Sequence, residues 1–168
     1  MAVITGQGVV LLKKAIILAL IALLIVPFSG CLGSGSPPPT IREELASLDA
    51  AIAQYQQAYG LYSYGDYTAA HDDYVKAVDM FKDCQSKFTW IASGNLTALD
   101  KRIATNLAGC SMQYSRAAAY MRDSSTEAMK PAPNNAYLFQ TEAEEFEQSA
   151  RLAYQSNVQD LALEENKK

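Results

Sequence analysis

From Thr40 onward, apolar side chains recur at steps of three and four residues and almost never alternate. A chain patterned this way can bury helix stripes but has no sheet face to bury. Valine and isoleucine are sparse after position 52, and alanine, glutamine and glutamate fill the spaces. Four such stretches follow one another. The first opens on Thr40-Ile41-Arg42-Glu43, which reads as a capping box. It carries Ile41, Leu45, Leu48, Ile52, Tyr55, Tyr59 and Tyr62 on one stripe and is broken at Gly65-Asp66, with Asp66 placed to cap the next helix. The second stripe holds Tyr67, Ala70, Tyr74, Ala77, Phe81, Cys84, Phe88 and Ile91, and stops at Ser93-Gly94. The third holds Leu96, Leu99, Ile103, Leu107, Cys110, Tyr114, Ala117 and Met121, with Asn95 as its expected cap. A looser stretch is expected after Asp123, with one short turn at Ser124–Glu127 and then Pro131 and Pro133. The fourth helix is expected from about Asn135 to Glu164, with Phe139, Ala143, Phe146, Ala150, Ala153 and Leu161 inward and Asn157 interrupting them.

Each stretch offers one apolar face, and the first two connections are short, which makes neighbouring helices antiparallel. The expected fold is therefore all-α, an elongated antiparallel four-helix bundle spanning residues 40–165. More than twenty residues per helix give rods longer than about 30 Å at ~1.5 Å per residue.

The first thirty residues are read differently. Met1 to Val10 carry no acidic residue, Lys13-Lys14 form a positive flank, and Ala15–Val26 is an unbroken apolar run ended by Pro27. That run is shorter than the roughly 20 residues a membrane-crossing helix needs, and it suits a signal peptide. Phe28-Ser29-Gly30-Cys31 then resembles the lipobox of prokaryotic lipoproteins, a bulky apolar residue and two small ones before cysteine, with Phe28 departing from the usual aliphatic residue. Cys31-Leu32-Gly33 after Ser29-Gly30 looks like archaeal surface lipoproteins in particular. The resemblance implies cleavage after residue 30 and a lipid thioether on Cys31. Residues 31–39 would then be the lipidated cysteine and its tether, flexible through the Gly/Ser part and stiff through Pro37–Pro39. An uncleaved anchor helix and plain secretion are the alternatives.

A second resemblance lies within the helical region. Gly65-Asp66-Tyr67-Thr68-Ala69-Ala70, with Ala58, Tyr74 and Ala77, resembles part of a tetratricopeptide repeat, where small residues let paired helices approach and an aromatic fills the gap. Gln54 and Gln57 stand where that family has Trp and Leu, Lys82 stands where it has its closing proline, and no second copy follows at a period near 34 residues. The resemblance implies TPR-like helical hairpins as the alternative fold and a protein-binding scaffold as the role.

The search for chemistry yields little. His71, the one histidine, is followed by Asp72-Asp73, but adjacent helical residues diverge, and both aspartates are expected outside. Glu142, Glu144, Glu145 and Glu147 resemble the acidic helices of di-iron bundles, yet those sites need Glu-x-x-His on two helices, which one histidine cannot supply. Cys84 and Cys110 lie on core stripes and leave two readings, a disulfide or two buried thiols. Tyr64 and Tyr67 are the expected contact patch of a tyrosine-rich turn. Asn95-Leu96-Thr97 fits the N-glycosylation pattern, although the same Asn would serve as a helix cap. The formal net charge is −4, and no basic stripe exists for nucleic acid.

Taken together, the sequence leads to the expectation of a lipoprotein held to the outer face of the cell membrane by its lipid. Its helical domain would bind a protein partner of the envelope, without enzymatic activity, cofactor or metal. A small-molecule-binding or sensory bundle is the alternative.

Overall fold

The computed structural model describes residues 39–165, with side chains from 41 to 163; the expected leader, Cys31 and the tether as far as Pro38 lie outside these residues. Four helices follow in order: α1 (Pro39–Ser63), α2 (Tyr67–Ser93), α3 (Ala98–Ala128) and α4 (Ala136–Glu165). They pack antiparallel, each on the next, as a four-helix bundle. The TPR-like alternative does not form. A tetratricopeptide unit fits both its helices into about 34 residues, whereas α1 and α2 run to 25 and 27 residues.

The ends of the helices are set by local chemistry. α1 begins at Pro39, one residue earlier than expected, so Thr40 lies inside the helix and not ahead of it as a cap. Proline suits a first helical position because its missing N–H would have no partner there. At the other end Gly65 adopts φ +83°, a conformation that favours glycine. Gly65 N–H donates to Tyr62 O at 3.0 Å and Asp66 N–H donates to Leu61 O at 3.0 Å, a Schellman motif. Asp66 then caps α2, its Oδ1 accepting from Ala69 N–H.

The expected cap of α3 is corrected by two residues. Thr97, not Asn95, holds that position: its Oγ1 accepts from Asp100 N–H at 3.1 Å and donates to Asp100 Oδ2 at 2.8 Å. Nor does α3 loosen after Asp123; it runs on to Ala128. The serines that suggested a turn satisfy themselves within the helix, Ser125 Oγ donating to Met121 O, while Ser124 is fully buried and donates to Ala136 O.

The stripes of α2 and α3 are buried nearly as read, through Ala70, Tyr74, Ala77, Phe81, Cys84, Phe88 and Ile91, and through Ile103, Leu107, Cys110, Tyr114, Ala117 and Met121. On α1 the face is rotated. Ile41, Leu48 and Tyr55 are buried as expected, but Ala51 and Ala58 take the inner positions between them, and Tyr59 is turned out. The smaller residue of each neighbouring pair is the buried one, and the larger is the more exposed. Asn157 is buried, not merely an interruption; it accepts from Asn106 Nδ2 and donates to Ala153 O.

Candidate functional site

Two of the four helices never come into backbone contact along their shared edge. Among the described residues no Cα of α1 lies within 8 Å of a Cα of α4, although α1 does approach α3 across the bundle. The edge is spanned by tyrosines. Tyr55 of α1 donates to Glu147 Oε2 at 3.1 Å, and Tyr154 of α4 donates to Asp49 Oδ1 at 2.6 Å. Behind them lies a cluster of rings from three helices. Tyr55 tilts against Tyr74 at 5.5 Å and against Tyr114 at 6.4 Å, and Tyr114 stacks on Phe81 at 5.1 Å.

Burial, with Glu147 next, holds the Tyr55 phenol far above its ordinary range, and burial does the same for Tyr114. These rings are neutral donors at any physiological pH. Tyr74 is 0% exposed and its hydroxyl has no hydrogen-bond partner. Burial raises its pKa as well, followed by Tyr59, Tyr62 and Glu147. A buried hydroxyl without a partner costs about 1–3 kcal/mol, so this polar tip has bonding capacity to spare.

The second candidate region is an end of the bundle. The α1–α2 turn and the α3–α4 connection meet there. Thr68 Oγ1 donates to Met129 Sδ at 3.4 Å, and Tyr62 donates to Ser124, which passes the chain of bonds on to Ala136 O. Several large apolar side chains are exposed at this end, among polar ones such as Asp66, Lys130 and Asn135. Tyr64 is 57% exposed and Tyr137 76%, with Met129 and Leu138 also open to solvent. The chain enters α1 at the opposite end, where Arg102 near the start of α3 pairs with Asp160 near the end of α4.

The expected contact patch is therefore split. Tyr64 is exposed, while Tyr67 is half-buried with its ring edge-on to Tyr62 at 5.2 Å. Met129, Tyr137 and Leu138 were missed by the sequence reading because they lie in or beside the expected loose connection, where helical periodicity gives no face. Trp90, 71% exposed near the end of α2, was missed as well. Asn95 is exposed in the α2–α3 linker.

Of the two cysteine readings, the structure has the free thiols. Cys110 Sγ donates to Ala150 O of α4 at 3.2 Å, and Cys84 stands beside Glu44 of α1, so the two face different neighbours. Burial pushes both thiols up to about 12.

Asp73 is not on the solvated face. It is 7% exposed, accepting from Gln57 Nε2 at 2.8 Å and Lys76 Nζ at 2.7 Å. The Lys76 bond comes first among the causes that hold its carboxyl below the usual range. His71 turns instead to Asp72, at 3.2 Å, so the three side chains do not converge. Glu147 is likewise drawn inward by Tyr55, whereas Glu142, Glu144 and Glu145 stay exposed.

Among the described residues, no group of three His, Cys, Asp or Glu side chains is placed to hold a metal ion, and no helix is long and apolar enough to cross a membrane. Comparison with protein families, with curated proteins and with solved structures finds no match to this chain.

Proposed function

We propose that this chain is a prokaryotic lipoprotein, anchored through a lipid on Cys31 to the extracytoplasmic face of the cell membrane, whose bundle binds another protein of the envelope. The observation that carries the binding role is the end formed by the α1–α2 turn and the α3–α4 connection, where Tyr64, Met129, Tyr137 and Leu138 stand in solvent. Tyrosine and methionine are enriched in protein interfaces, and four large apolar or aromatic side chains are exposed at this one end. The domain acts by holding a partner and not by transforming one.

The test places a photo-reactive residue at Tyr64 or Tyr137 in cells, with one at Lys101, near the other end, as control. A defined adduct from the first two and none from Lys101 is expected; equal or absent adducts reject the surface. Cys31→Ala tests the anchor separately. Release from the membrane is expected, and unchanged processing and retention reject lipidation there.

Tyr74 supports a second reading, a bundle that takes a small polar molecule. Its hydroxyl is buried without a partner, and a ligand that reached it would complete its hydrogen bonding. A specific rise in melting temperature with one member of a panel of small amines and hydroxy compounds would favour this reading over protein binding.

A further inference from the structure

We infer that Asn95 is the attachment point of an N-linked oligosaccharide. The sequence leaves this residue between two roles, helix cap and glycosylation acceptor. The structure removes the first, because Thr97 holds the cap position and bonds to Asp100 in both directions, while Asn95 takes no part. What remains is an exposed asparagine in an exposed linker, two residues before a threonine, with leucine and not proline between them. This is the arrangement the modification needs: a hydroxyl two residues on, a backbone outside regular structure and room for a bulky polar substituent. Asn95 lies past the end of α2 and ahead of α3, so a sugar there displaces no packed side chain.

The inference relies on the proposed function only for export of the chain. The donor is an oligosaccharide carried on a polyprenyl phosphate or pyrophosphate. Asn95 Nδ2 gives up one proton and bonds to the anomeric carbon of the first sugar. The bond from that carbon to the phosphate oxygen breaks, and the lipid phosphate leaves with its electron pair. No oxidant or reductant enters. The Thr97 hydroxyl is tied to Asp100 in the folded domain, so transfer precedes closure of the first turn of α3.

The test is mass spectrometry of the full chain purified from its own host. Trypsin releases Phe88–Lys101 with Asn95 inside it. This peptide is expected to carry hexose-type fragment ions and a discrete added mass, both lost in Asn95→Gln. Thr97→Ser keeps cap and acceptor and should retain the sugar. Thr97→Asn keeps a good cap but removes the acceptor hydroxyl, and should lose the sugar with little change in melting temperature. Sugar retained in Thr97→Asn overturns the inference. So does an unmodified peptide from a chain whose Cys31 is lipidated, and the anchor reading then stands. A glycosylated peptide from a chain with a free Cys31 upholds the inference and rejects the anchor. An unmodified chain recovered in the cytoplasm rejects both.

Discussion

Helices α2 and α3 meet through small residues and flat rings, whereas α1 and α4 meet through the tips of long polar ones. On the first pair, Ala70, Ala77, Ala104, Ala117 and Ala118 are fully buried, and Phe81 of α2 stacks on Tyr114 of α3 with their planes 9° apart. Between the second pair the backbones stay beyond 8 Å, and the bridges are two phenol-to-carboxylate hydrogen bonds. The first contact excludes water from apolar area. The second exchanges protein–water bonds for protein–protein ones, which nets about 1.5–3 kcal/mol each where the acceptor is a carboxylate. One bundle thus has a closely packed side and a side held by a few directional bonds. Local opening is expected to start on the second.

The largest effect tests the packed side chemically. With both thiols at about 12, their thiolate fraction at pH 8 is roughly a thousandfold below that of an ordinary cysteine. Alkylation of the native protein should be far slower than that of the unfolded chain, because each thiol is 1% exposed and must be uncovered by local opening before it reacts. Cys110, facing α4, should react before Cys84, because detachment of α4 uncovers it first; the reverse order would break the comparison.

Phe81→Ala should cost about 3–5 kcal/mol in denaturant unfolding, since it removes a fully buried ring and its stacking partner's support. Tyr55→Phe and Tyr154→Phe should cost less, ~1.5–3 kcal/mol each, with faster amide exchange confined to α4 and the facing part of α1. Losses equal to that of Phe81→Ala would mean the polar edge contributes as much as the packed one.

The smallest effect is the most discriminating. Tyr74→Phe deletes a buried hydroxyl that has no partner, so stability should stay level or rise by up to ~1 kcal/mol. A loss of that size would show that a water or ligand completes the hydroxyl's bonding, in favour of the small-molecule reading.

Much of the fold was legible because helical periodicity states which face is buried. The α2 and α3 stripes needed no correction among their central residues, and Gly65-Asp66 marked its turn through backbone chemistry that few other residues offer. The side-chain positions that spacing did not settle share one cause. Tyr59, Asp73 and Glu147 each lie one position from an inner stripe, at the rim, where a neighbouring helix decides whether a side chain faces water. Nothing in the spacing around Asp73 announces Gln57, sixteen residues away on another helix. The candidate interaction end was half legible: Tyr64 followed from crowding, but Tyr137 and Leu138 depend on where the long third connection places the start of α4.

The order of apolar and polar residues alone determined that this protein is four amphipathic rods joined by turns, because burial of a stripe is a property of each helix by itself. Tertiary packing decided how α1 is rotated, which carboxylates are drawn inward, that Cys84 and Cys110 face different neighbours, and that Tyr74 is left without a partner. Those outcomes depend on distances between helices, which are set by the sizes of side chains brought together from opposite ends of the chain.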